Sequence, residues 1–161
     1  MKFLKTHYGR AINVIPSDTV NIPNPAGLGM TGEVSGTGDV AKLVVDEANF
    51  TTNLLGAIVV NTTDNTIANV IGFESSNILL LDEIIFPSGS PNYAIYNSDN
   101  NQGCAIYIPA QAPNDLTVLT VGGDVIKFKS CGDSNSSIIL PVNVLKVFDT
   151  GTELTSIIAL W

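Results

Sequence analysis

The chain has 161 residues, of which 45% are hydrophobic and only 14% charged, with a formal net charge of −8. Abundant Val, Ile and Leu at low charge exclude intrinsic disorder, and the acidity argues against phosphate-backbone binding, so no nucleic-acid partner is expected. No apolar run approaches the ~18 residues of a membrane-crossing helix, and one His with two Cys leaves little material for a transition-metal site.

Asn, Thr and Ser together outnumber the charged residues, a pairing of turn formers with strand formers that predicts short strands joined by polar turns. The opening Met1-Lys2-Phe3-Leu4-Lys5 lacks the apolar core of a secretory signal, so export by that route is not expected. Lys2, Lys5 and Arg10, with Tyr8 between them, form a positive segment that meets no acid before Asp18. On an acidic body such an arm reads either as an extension docking on a neighbour or as a solvated terminus.

Ala11 to Ile15 predicts a first strand stopped by Pro16, and the two prolines of Asn21-Ile22-Pro23-Asn24-Pro25 predict an extended connector. The glycine-rich stretch from Gly27 to Gly38 reads as a hinge between modules. Strands are predicted over residues 40–45, 56–61, 66–73, 78–81 and 93–96, a compact β unit. Asp46-Glu47-Ala48-Asn49-Phe50 is the one stretch that reads as a helical turn, its acids suiting a helix N-terminus.

After the polar break 97–103, strands are predicted at 104–108 and 116–121, the latter turning through Gly122-Gly123-Asp124 into 125–129. In that hairpin Ile126 and Phe128 share one face and Lys127 and Lys129 the other. Further strands follow at 138–140 and 142–148, and an apolar run from Leu154 reaches the final residue. Such a run belongs in a sheet or a subunit contact, because an open edge carrying Ile157, Ile158, Leu160 and Trp161 invites aggregation. The expected architecture is all-β: an antiparallel β-sandwich or small barrel made from 1–26 plus 98–161, with 27–97 as an inserted β domain.

Motifs for chemistry are weak. Gly27-Leu28-Gly29-Met30-Thr31-Gly32 matches the dinucleotide pattern, but a Pro-Asn-Pro connector precedes it and more glycines follow where a helix is required. Asp133-Ser134-Asn135-Ser136-Ser137 opens like a calcium loop, yet the position that needs a bidentate Glu holds Val144. Cys104 or Cys131 with His7 is a formal nucleophile pair without supporting spacing. Cys104 reads as a small buried side chain, and a Cys104–Cys131 disulfide requires adjacent strands. Asp46-Glu47 and Asp82-Glu83 are neighbours in sequence, which point to opposite faces of a strand, so they read as solvated turn residues. Three Asn-x-Ser/Thr triplets mean little in so Asn-rich a chain. No catalytic, metal or cofactor site is expected, and the chain is not expected to be an enzyme.

Gly103 to Ile108, then Leu119 to Phe128, then Leu140 to Phe148 with Thr150-Gly151-Thr152 and Ile157 to Trp161, resemble a family of small β-rich virion proteins of tailed bacteriophages. Ala11-Ile12-Asn13-Val14 with Pro16 to Val20 is similar to that family's first strand, and Gly56 to Asp64, Leu79-Leu80-Leu81 and Tyr93 to Tyr96 resemble a β module recurrent in phage structural proteins. The resemblance implies a capsid decoration or cement protein on the virion exterior. It further implies a homo-oligomer, expected as a trimer, that binds the major capsid protein. Lys2, Lys5, Tyr8, Arg10, Ile157, Ile158, Leu160 and Trp161 are the expected contact residues. The alternative is a spike or fibre-base protein binding a host glycan or receptor, with Tyr93, Tyr96 and Tyr107 placed to stack on sugars.

Overall fold

A computed structural model describes residues 8–38, 40–98 and 102–161. The described residues form strands and two short 3-10 turns, Pro25–Gly27 and Thr52–Leu54, with no α-helix among them. The strands are β1 (Ala11–Asn13), β2 (Leu28–Glu33), β3 (Lys42–Val44), β4 (Ile58–Asn61), β5 (Thr66–Ser75), β6 (Ile78–Leu81) and β7 (Asn92–Tyr96). They continue as β8 (Ala105–Ile108), β9 (Asn114–Thr120), β10 (Val125–Cys131), β11 (Ile138–Ile139), β12 (Val144–Val147) and β13 (Ile158–Leu160). The chain divides into two compact units, one of Met1–Asp18 with Gln102–Trp161 and one of Thr19–Asn101.

The chain-end unit holds two antiparallel sheets, ordered β1-β13-β8-β11 and β10-β9-β12. Alternation, interrupted by register shifts in β10 and β12, gives each sheet one buried face: Ile106, Ile108 and Ala159 in the first, Leu116, Val118 and Val144 in the second. The sheets meet at one corner, where Cys104 and Val144 exchange backbone hydrogen bonds, each 2.9 Å. The β9–β10 hairpin pairs Leu119 with Val125 and Leu116 with Phe128. Its turn is closed by the Gly123 amide donating to the Thr120 carbonyl at 3.0 Å, with Gly123 in the left-handed region at φ 90°. A bulge follows at Ser130, pinned by Asp115, whose carboxylate accepts from the Ser130 amide at 3.1 Å and from Lys127 Nζ at 2.9 Å.

The inserted unit is one six-stranded antiparallel sheet ordered β2-β7-β4-β5-β6-β3. Strand β5 is long enough to serve two neighbours: its first residues pair with β4 and, from Val70 on, it pairs with β6 through two register shifts. The resulting bend lets both ends of the sheet share one core, which includes Leu43, Phe50, Val59, Val70, Leu79, Phe86 and Ile95. A single bridge between Gly36 and Val44 touches the far edge without forming a ladder. None of the sheets closes into a barrel, so of the two expected all-β architectures the structure accords with the sandwich.

Three expectations are corrected. The glycine-rich stretch is not a hinge: Leu28–Glu33 is strand β2, hydrogen-bonded to β7. Glycine is needed there for close approach, since a Cβ at Gly27 would lie 2.5 Å from the Asn97 carbonyl oxygen and one at Gly32 would lie 3.0 Å from the Tyr93 ring. Asp46–Phe50 is an irregular turn and not a helical one, because Glu47 and Asn49 take left-handed φ values of 59° and 57°. Residues 19–26 fall in the inserted unit, where Asn69 Nδ2 donates to the Thr19 carbonyl at 3.3 Å.

Candidate contact surface of the chain ends

The expected contact residues Lys2 and Lys5 lie outside the described residues, as does His7. Of the others, Arg10, Ile158, Leu160 and Trp161 are brought together, because the first and last strands pair with each other, while Tyr8 is 40% exposed ahead of β1. Gly9 and Arg10 donate their amides to the Trp161 carbonyl at 2.7 and 3.3 Å, and the Trp161 amide donates to the Arg10 carbonyl at 3.0 Å. The register runs on through Ala11 opposite Leu160, Ile12 opposite Ala159 and Asn13 opposite Ile158. On its other side β13 pairs with β8, Ile158 opposite Tyr107 and Leu160 opposite Ala105. Both backbone edges of β13 are therefore occupied within the chain, and the open edges of this sheet are β1 and β11.

Paired residues of an antiparallel ladder project to the same face. Ala11, Leu160 and Ala105 thus form one row across the sheet, and Asn13, Ile158, Tyr107 and Ile139 form the next. None of the seven side chains is charged. Ala11 and Asn13 are exposed, Ile139 is 50% exposed, and the middle residues are half-buried. Ile157, expected at the contact, belongs to the core instead: it is only 4% exposed and alternates inward with Ala159. Trp161 follows the same inward alternation, its Nε1 buried without a hydrogen-bond partner among the described residues. Sequence reading missed Ala11, Asn13, Ala105, Tyr107 and Ile139 as members of this face. The alternation of Ala105 and Tyr107 with buried Ile106 and Ile108 was the signal that carried two of them.

Elsewhere the polar groups are engaged locally. Asp18 accepts from Thr150 Oγ1 at 2.6 Å and from the Thr150 amide at 3.0 Å, and these bonds hold its carboxyl below the usual carboxylate range. Lys127 and the Ser130 amide do the same for Asp115. In the loop weighed as a calcium site, Asp133 accepts from the Asn135 amide at 2.8 Å and from Ser136 Oγ at 3.0 Å, which lowers its pKa and describes a self-closed polar turn. Asp82 uses both oxygens on Asn69, from the amide and from Nδ2, each at 2.7 Å. Among the described residues no three His, Cys, Asp or Glu side chains gather as metal ligands, and no helix is long and apolar enough to cross a membrane.

Both cysteines are free thiols. Cys104 is buried, which pushes its pKa up to about 12, and its Sγ donates to the Val144 carbonyl at 3.4 Å. At neutral pH it is a protonated core group, unlike the low-pKa thiolates that act as nucleophiles. Tyr93, weighed for sugar stacking, is 4% exposed and lies in the inserted unit's core. No family model, curated protein or solved structure matches this chain.

Proposed function

We propose that the protein is a structural component of a phage virion, a decoration or cement protein that attaches as a homo-oligomer to the outside of the head. The observation that carries this reading is the joining of both chain ends into one sheet whose outer face is free of charge. Attachment in many copies needs a rigid scaffold that presents apolar area repeatedly, so that modest single contacts add up through multivalency. A two-sheet unit closed by its own first and last strands supplies rigidity, and the row of half-buried Ile158 and Tyr107 with exposed Ile139 supplies apolar area. The resemblance of the chain ends to phage virion proteins points the same way. Quantitative mass spectrometry of purified particles tests the proposal. Hundreds of copies per particle are expected; a handful would indicate a spike at a vertex or tail, and absence from particles would refute a virion role.

A further inference from the structure

Among the described residues one sheet edge stands open without the usual guards. Strands β1 and β11 are three and two residues long, β10 carries Lys127 and Lys129 beside a bulge, β12 carries Lys146, and β3 is three residues long with Lys42 at its start. Short length, lysines and bulges keep an edge from pairing. Strand β2, at the outer side of the inserted unit's sheet, is six residues long, contains no Lys, Arg or Pro, and has only a register shift beside Gly29. The Val34 amide donates to the Pro91 carbonyl at 3.0 Å, so Val34 bonds toward β7 and, by alternation, the backbone groups of Thr31 and Glu33 point away from it. Both residues are exposed.

The surroundings of this edge are acidic. Thr19–Asn101 contains nine acids and a single base, Lys42, a formal charge of −8, and Lys42 lies 2.6 Å from Glu74. A strand that adds beside Glu33 in such a unit has to be basic. One segment of this chain has that chemistry. Met1-Lys2-Phe3-Leu4-Lys5-Thr6-His7, which lies outside the described residues, holds two lysines and neither an acid nor a Pro or Gly. Its seven residues, extended, span the six of β2.

We infer that residues 1–7 of a neighbouring copy add to β2 as a seventh strand, bonding the backbone of Thr31 and Glu33, with Lys2 and Lys5 set against the acidic unit. The inference rests on the homo-oligomer of the proposed function and names its contact. Backbone hydrogen bonds along the edge supply the docking geometry, and the arm's charge supplies an attraction that two acidic units lack by themselves. An arm passed from each copy to the next is a head-to-tail contact, the kind that closes into a ring such as the trimer the resemblance implies.

Light scattering of the full chain over a concentration series tests it, with amide hydrogen exchange of β2 and two variants. Thr31→Pro removes an outward amide at an edge position that proline tolerates, and the double substitution Lys2→Glu, Lys5→Glu reverses the arm's charge without touching the described fold. Circular dichroism verifies folding. The expected result is an oligomer that weakens more than ~3-fold between about 50 and about 500 mM NaCl, because the contact joins opposite charges. Each variant is expected to weaken association more than ~10-fold. The arm variant is also expected to leave the Thr31 and Glu33 amides exchanging freely at concentrations where the parent protects them, a readout that holds even if Thr31→Pro fails to fold. An oligomer that the arm variant leaves within ~3-fold of the parent overturns the inference while the homo-oligomer stands. A monomer in which those two amides are protected by the chain's own arm overturns the exchange between copies. A monomer with both amides unprotected removes the homo-oligomer as well.

Discussion

Asn61 is the most informative single residue for the stability of the inserted unit. It is 2% exposed at the end of β4, and its Nδ2 donates to the Ile85 carbonyl at 2.7 Å while its Oδ1 accepts from the Thr63 amide at 3.0 Å. One side chain therefore closes the β4–β5 turn and ties down the loop after β6. Asn61→Ala leaves the Ile85 carbonyl, on a residue 3% exposed, with only a long 3.4 Å bond from Thr66 Oγ1. An unsatisfied buried acceptor costs ~1–3 kcal/mol, and the lost Thr63 bond adds less than ~1 kcal/mol because that amide is near water. The expected loss is about 2–3 kcal/mol, or a urea midpoint lowered by about 2–3 M at an m-value of ~1 kcal/mol/M. Urea denaturation followed by Trp-independent far-UV circular dichroism reads this directly. Asn61→Asp separates the hydrogen bond from packing, since a carboxylate facing the Ile85 carbonyl repels it and a neutral acid can donate to it. Its folded-state pKa is then raised, so the defect is largest at neutral pH and shrinks as pH falls through that pKa. A loss below about 0.5 kcal/mol for Asn61→Ala, within the range of ordinary surface substitutions, would refute the reasoning.

Three further outcomes are expected. Asp18, Asp115 and Asp133 all have depressed pKa values and all lie in the chain-end unit. Their contribution is complete above the unfolded carboxylate pKa of ~3.9 and is lost as pH falls through the folded values, so thermal midpoints should drop below about pH 4 and drop less steeply in Asp18→Asn. Lys127 and Lys129 project from the edge strand β10, which pairs only with β9, next to its bulge, and replacing both with Val should raise turbidity on warming, because charge and a bulge are what keep such an edge from pairing with others. Iodoacetamide at mild alkaline pH should modify partly exposed Cys131 in the folded protein and Cys104 only after unfolding, read by peptide mass spectrometry. Equal labelling rates would contradict the burial of Cys104.

Much of the fold was legible because alternation and turn chemistry agreed. Ile78 to Leu81 is bounded by a Ser-Ser-Asn turn and forms β6 at those residues, and the Gly122-Gly123-Asp124 turn set the β9–β10 register. Strand β2 was illegible because its glycines have poor strand propensity; it forms by pairing with β7, where the missing side chain of Gly32 leaves room for the Tyr93 ring, as that of Gly27 just before the strand does for the Asn97 carbonyl. The turn at Asp46 to Phe50 carried acids where a helix would want them. Buried Val45 and Phe50 instead fix its two ends to the β5–β6 turn, by bonds from their amides to the Asn77 and Ser76 carbonyls.

For the contact surface, composition identified the last strand but not its orientation. Ile157, Ile158, Ala159 and Leu160 are all apolar, so alternation is invisible in the sequence, and only the pairing to β1 and β8 separates inward Ile157 from outward Ile158.

Amide hydrogen exchange of the full chain, compared between dilute and concentrated solution, locates the self-contact without any substitution. Added protection is expected in peptides covering Leu28–Glu33, the open edge of the six-stranded sheet, with Thr66–Ser75 unchanged. Protection that appears instead in Thr66–Ser75, or exchange that ignores concentration altogether, would contradict assembly through that edge.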